Sequence, residues 1–393
     1  MRMKRTFEFT AFILLVLLLL STDAAAAQTE VGDITSRCTI SVSSNKNHLK
    51  KMTSGDYSTY WQGAKGSTIT VKVGRNEKAQ GICVYFHGIP VSLTAKDMNG
   101  IEIGSCDGSF ENAYIAFDHA VDAFLLTGSE GSEMEISRLK VVQDGELPAW
   151  VQRWSFLNEK ADMMLISTHP DDEILWFGGM LPTYSGEKGK KVIVVYMVGG
   201  NNPKRKNELL DGLWTCGVHY YPEIGYFPDK GASSYSSVIR NWGEGEAEKR
   251  IVEMLRKYRP DVVVTQDIHG EYGHYHHIVT VDAAIKAVTQ LAENNSFSPE
   301  TVALYGSWKP LKLYLHLYQE GQIVLDWRQP LNSFNGMTSL QVAKEAFKKH
   351  ISQQNGHYSV SDSGRLNCSL FGLYYSAVGD DTIHQDLFEN ICE

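Results

Sequence analysis

The order of hydrophobic and polar positions divides the chain in two. Between residues 32 and 145, short apolar-rich runs recur: "TITVKV", "GICVYF", "AYIAFD", "AVDAFLLTG" and "ISRLKVV". Gly, Asn, Asp and Ser cluster between them, which predicts an all-β sandwich. "QDGELPAW", 143–150, has the composition of a linker. From residue 160 strands and helices alternate. "MMLIS" precedes a helix, "KVIVVYMV" precedes a helix through "RKNELLDGLW", and the amphipathic "EGEAEKRIVEMLRKYRP" stops at Pro260 before the strand "DVVVTQ". Such alternation predicts a mostly parallel sheet flanked by helices. A further helix is expected over "FKKHISQQ", 347–354, as a wall of the candidate site, with His350 and Gln353 as structural residues. The resulting plan is a multidomain chain. An all-β sandwich spans 28–145, a linker 146–159 and an α/β domain 160–393.

Residues 1–27 read as a targeting segment. Arg2, Lys4 and Arg5 precede the apolar stretch Ala11 to Leu20, and Ala24 to Ala27 offer small-residue cleavage positions. The apolar stretch is short for a membrane span, so a cleaved signal peptide is expected, with no integral span afterwards and a secreted or extracytoplasmic protein. Net charge is −9, and no basic run follows residue 27, which argues against nucleic acid as a partner. Six cysteines allow 15 pairings. Three precede residue 150 and three follow it, so either one bridge joins the halves or some thiols stay free.

Candidate chemistry sits in two stretches, each directly after a predicted strand. "HPDDE", 169–173, follows "MMLIS", and "HGEYGHYHH", 269–277, follows "DVVVTQ". Both clusters therefore lie at the carboxyl end of one sheet, where α/β folds build ligand sites. His169, Asp172 and His277 supply two imidazoles and a carboxylate, the ligand set of a catalytic zinc that keeps one open position. Asp171, beside a ligand and free of the metal, is placed to act as general base. His274, three residues from His277, is assigned to oxyanion stabilisation or to donation to the leaving group. Glu173 reads as a helix-start acid or a partner of the ligands. His276 is expected to point away from the metal if the helix has begun there.

"HPDDE" with the later "YGHYHH" resembles the PIG-L/LmbE family of metal-dependent N-acetylglucosaminyl de-N-acetylases. The resemblance covers roughly residues 160–290, including "RPDVVVTQD", and more loosely the rest to 393. It implies a Rossmann-like fold and hydrolysis of an acetamide on an amino sugar. It places the metal ligands on His169, Asp172 and His277, the base on Asp171, and the catalytic histidine and tyrosine on His274 and Tyr272. "RKNE" is similar to the family's R-x-x-E segment, which makes Arg205 a candidate contact to a sugar hydroxyl. This chain departs from the pattern at His276, where the family usually has Asp. In the N-terminal half "SGDYSTYWQG", 54–63, resembles the D-x-x-x-T-x-W signature of discoidin sandwiches, which implies a ligand-binding module, often for glycans.

The expectation is a secreted hydrolase that removes the N-acetyl group from N-acetylglucosamine-type sugars of a glycan or glycoconjugate. Zinc is the expected metal, with Fe2+ or another divalent ion also compatible. The sandwich is expected to hold glycan without contributing to the reaction. Two His and one carboxylate also describe non-haem iron oxygenases, but a free carboxylate at Asp171 favours hydrolysis. An N-acyl amidase for a non-sugar amide and a glycan-binding protein with weak or lost catalysis are the other readings.

Overall fold

The computed structural model describes residues 30–54, 57–354 and 356–391. The targeting segment 1–27 and Cys392 lie outside them. Among the described residues no helix is long and apolar enough to cross a membrane. Cys38, Cys83, Cys106, Cys216 and Cys368 are free thiols, so of the two outcomes open from the sequence the second holds for these five.

The N-terminal part is built from two antiparallel sheets. One orders β1 (Thr39–Val42), β3 (Thr68–Lys72), β8 (Ala123–Gly128), β5 (Leu93–Lys96) and β6 (Glu102–Cys106). The other orders β2 (Trp61–Gly63), β9 (Met134–Gln143), β4 (Ala79–Phe86) and β7 (Asn112–Val121). Alternate residues of both sheets share one core, with Ile69, Val71, Phe124 and Leu126 facing Trp61, Ile82, Val84 and Ile136. Period-two patterning thus buries one face of each sheet against the other. Trp61 is fully buried there, and its indole N–H donates to the Ser44 carbonyl at 3.2 Å.

The remaining residues form a seven-stranded sheet. Its order is β12 (Glu223–Phe227), β11 (Val192–Val198), β10 (Met163–Ser167), β13 (Val262–Thr265), β14 (Lys312–His316), β16 (Leu370–Ser376) and β15 (Gln322–Val324). The first five are parallel and the last two pair antiparallel. Strands β10, β11 and β13 are buried at every position, which explains their unbroken Val, Ile and Met runs. Met163, Leu165, Val192 and Val194 pack under α1 (Asp172–Leu175), α2 (Pro203–Thr215) and α7 (Ser339–Phe347). Met164, Ile166, Ile193 and Val195 pack on the opposite face under α3 (Tyr235–Trp242), α4 (Glu246–Tyr258) and α5 (Tyr275–Lys286).

The helix expected over 347–354 is not formed. Helix α7 begins at a Thr338–Gln341 capping box and ends at Phe347; Ile351–Gln353 is a single short turn. His350 leaves the helical path because its ring is drawn inward, with Nε2 3.0 Å from the buried Glu173 Oε1.

Residues 146–159 do not hang free. Val151, Gln152, Trp154 and Leu157 are buried, and the segment lies against the seam between the sandwich and α2. In that seam Asn207 donates to the Phe86 carbonyl at 3.0 Å, and Lys206 pairs with Glu111 at 2.6 Å, both side chains nearly buried. Asp211 accepts from the Tyr57 hydroxyl at 2.7 Å and the Gln152 amide at 2.6 Å. Buried polar groups of this kind are costly to leave unmade. Asp211→Ala is therefore expected to cost about 1–3 kcal/mol, because the buried Tyr57 and Gln152 donors lose their acceptor. Guanidinium unfolding reads this as a lower midpoint, and an unchanged midpoint would show that the seam contributes nothing.

Candidate active site

Neighbouring parallel strands β10 and β13 send their chains to opposite faces of the sheet, β10 into α1 and β13 into α5. The crevice where they part is the place at which α/β folds hold ligands. "HPDDE" and "GEYGHYHH" meet there.

The structure brings His169, Asp172 and His277 together. His169 Nδ1 lies 3.0 Å from His277 Nε2 and 3.1 Å from Asp172 Oδ2, and His277 Nε2 lies 3.2 Å from the same oxygen. Three donor atoms on a nearly equilateral triangle, all buried, suit an ion at about 2.0–2.1 Å from each. The local field also favours a cation. Burial alone would lower His277, but Asp172 and then Glu271 bring it up to about 10. Burial opposes ionisation of Asp172, yet His277 and His169 hold it well below the usual carboxylate range. The donor set therefore fits a divalent metal.

Each corner is held from behind. His277 Nδ1 lies 2.7 Å from Glu271 Oε2, the carboxylate–histidine arrangement that fixes a ligand's tautomer. Glu271, fully buried, also meets His316 Nδ1 at 2.8 Å and accepts from the Asp267 backbone at 3.1 Å. Asp172 accepts from the Trp176 indole at 2.7 Å, the Gln266 amide at 3.0 Å and the His169 backbone at 2.8 Å.

Asp171 stands beside the triangle and outside it. Its backbone is held at φ 123° and ψ −28°, a left-handed conformation costing a non-glycine residue about 1–3 kcal/mol. The surroundings enforce it: its N–H donates to Glu173 Oε2 at 2.7 Å, and Glu173 is backed by His350. Arg205 donates to Asp171 Oδ1 at 2.9 Å and to the Pro170 carbonyl, and its other arm lies 3.3 Å from Asp229. Burial and then the Asp172 charge push Asp171 up to about 7, against the pull of Arg205. A cation in the triangle would oppose that rise.

His274 caps α5, with its ring 4.7 Å from that of His277, centroid to centroid. Burial, then the neighbouring imidazoles, lower it to about 3, and its Nδ1 is buried without a hydrogen-bond partner. Tyr272 is partly exposed, 5.6 Å from both His274 and His277 between ring centroids. The expectation that His276 points away is corrected in part. Its Nδ1 lies 3.2 Å from His169 Nε2, on the side of that ring remote from the triangle, because the ring is stacked on Trp242 at 5.0 Å. His169, His274 and His276 form a second group whose nitrogens lie within 4.8 Å of one another. A cavity of about 240 Å³ opens over these groups, lined also by Leu175, Trp176, Asp229, Phe347, Gln353 and Tyr358.

Sequence reasoning missed Glu271, His316, Asp229 and the Glu173–His350 pair. Glu271 lies inside the quoted motif, and His316 ends an apolar strand beside β13, so both left a signal. Asp229 left none; only the fold brings its Oδ1 to 3.4 Å from His169 Nε2.

Burial raises Glu271, but hydrogen bonds from His277 and His316 outweigh it and bring it from 4.5 to about 2. With the folded value below the unfolded one, its stabilisation is fully present above pH 4.5 and is lost as pH falls through about 2. Glu271→Gln should be less stable than the parent near neutrality, and the gap should narrow on acidification. Urea unfolding at a series of pH values checks this; a gap of constant size would refute it.

The family described as PIG-L: GlcNAc-PI de-N-acetylase matches residues 164–288. The 1D-myo-inositol 2-acetamido-2-deoxy-alpha-D-glucopyranoside deacetylase 1 of Catenulispora acidiphila is 27% identical over 180 residues, 39% of this chain and 54% of that protein. The chain thus spans about half the length of the curated relatives it matches. Among solved structures, the N,N'-diacetylchitobiose deacetylase from Pyrococcus horikoshii aligns with TM-score 0.38 and 22% identity, covering 50% of this chain and 72% of that one. The family 32 CBM of C. perfringens NanJ, solved with galactose, aligns with TM-score 0.24 and 19% identity over 28% of this chain and 96% of its own. The stretch that the PIG-L family matches, residues 164–288, carries all three corners of the triangle.

Proposed function

We propose that this protein is a divalent-metal-dependent hydrolase that removes the N-acetyl group from N-acetylglucosamine-type sugars of a glycan or glycoconjugate. The observation that carries the reading is the division of labour in "HPDDE": Asp172 is a corner of the triangle, and Asp171, its neighbour, lies outside the triangle and lines the cavity. The PIG-L family domain and the deacetylase names of the relatives support the same chemistry.

Bound by His169, Asp172 and His277, a divalent cation supplies a Lewis acid for the acetamide carbonyl and a lowered pKa for water. Zinc is proposed, and iron(II) also suits two imidazoles and a carboxylate. Asp171 takes the proton from the attacking water. The cation would lower the Asp171 pKa, so the carboxylate would be ionised and able to accept that proton. The C–O bond forms, the C–N bond breaks, and the proton held on Asp171 passes to the departing amine. His274, neutral because its pKa is lowered, donates a hydrogen bond to the oxygen that gains charge. This favours the oxyanion role over proton donation. Arg205 keeps the Asp171 carboxylate in place, and a sugar hydroxyl is its proposed further contact. The sandwich is proposed to hold glycan, and the order of residues 1–27 supports export.

The test is acetate release from N-acetylated sugars, with activity lost on chelation and restored by added metal. Release from non-sugar amides alone would replace this reading with the amidase. His169→Ala, Asp172→Ala and His277→Ala should each lose bound metal, because a three-ligand site cannot spare one. His276→Ala should keep it. Asp171→Asn should hold metal while turnover falls by about 10²–10⁴. Metal content and turnover measured on one preparation decide this, and a metal-free or fully active Asp171→Asn refutes the assignment.

A further inference from the structure

The cavity wall contains an aromatic shelf completed by Tyr358, a residue to which the proposed chemistry gives no part. Tyr358 stacks on Tyr272, with ring centroids 4.8 Å apart and planes 23° from parallel, and Trp176 meets Tyr358 edge-on at 5.4 Å. Tyr358 and Tyr272 remain 36% and 38% exposed, although each is large and has an aromatic neighbour to cover it. Tyr358 also lies well beyond residues 164–288, so the shelf is completed by a part of the chain outside the PIG-L match. The lining also includes the polar pair Arg205 and Asp229, 3.3 Å apart.

At about 240 Å³ the cavity is smaller than the roughly 300–1,000 Å³ usual for ligand sites, so a substrate larger than one ring must extend over the rim. A pyranose has apolar C–H faces and a hydroxylated edge. One face packs well on an exposed aromatic ring, while the hydroxyls stay in water or meet polar side chains. We propose that Tyr358 is the specificity-determining residue for the sugar ring joined to the acetylated one. On this assignment the preferred substrate is an oligosaccharide whose second ring packs on Tyr358, rather than a free monosaccharide.

This inference rests on the deacetylase reading above, and its test separates the two. The metal-loaded full chain is assayed for acetate release from N-acetylglucosamine and from its β-1,4-linked trimer. The quantity compared is the ratio of kcat/KM for trimer over monomer. In Tyr358→Ala this ratio should fall about tenfold through KM for the trimer, the scale of a single aromatic stacking interaction. Tyr358→Phe should keep the parent ratio, because the ring and not the hydroxyl packs on the sugar. A parallel decrease on both substrates would show that Tyr358 only supports Tyr272, and would overturn the proposal, as would an unchanged ratio. If the parent releases acetate from neither sugar, the deacetylase reading itself fails.

Discussion

Two imidazole nitrogens held 3.0 Å apart, with one carboxylate oxygen about equally close to both, set the terms for the rest of the domain. At most one proton can sit between the two nitrogens, and the carboxylate beside them adds negative charge, so the arrangement favours a positive charge at its centre. Glu271 holds His277 from behind and is in turn shared with His316. Trp176 and Gln266 occupy the other acceptor positions of Asp172. Fully satisfied buried networks of this kind are rigid, whereas partly satisfied ones are costly. That rigidity is what a metal site requires, because ligand atoms out of place by a few tenths of an ångström would no longer share one ion.

The same network separates two carboxylates that are adjacent in the chain. Asp172 faces the imidazoles and is driven to ionise. Asp171 is turned aside by a strained backbone, and burial with its charged neighbour raises its pKa. Groups of one chemical type thus acquire opposite tendencies, which lets two carboxylates in one site take different roles. The strain is met by the bond that Asp171 N–H donates to Glu173 and the one its carboxylate accepts from Arg205, so distant elements contribute to it: His350, beside Glu173, follows α7, and Arg205 is on α2. Helix α2 is also the element gripped by the sandwich through Lys206, Asn207 and Asp211. The sandwich is therefore mechanically coupled to the helix that steadies the proposed base. The sequence suggested a more detached module, because the composition of 143–150 signals a turn and says nothing of what packs on the residues that follow.

By itself the sequence determined what is local or periodic. Unbroken Val, Ile and Met runs named β10, β11 and β13, and the two polar clusters after β10 and β13 named His169, Asp171, Asp172, His274 and His277. These were legible because a strand's burial is written in its own residues, and because strand ends of a parallel sheet converge by rule. Short strands such as Trp61–Gly63 and Glu102–Cys106 were not, since their pairing is decided by partners far along the chain. The end of α7 was not either, because His350 leaves the helix for the buried carboxylate of Glu173, which belongs to a distant stretch of the chain. Only the tertiary structure could place Asp229, His316 and Tyr358 beside the motifs, or show His276 against His169. Each of these depends on distances between segments that no spacing along the chain encodes, and that packing fixes once the sheet has closed.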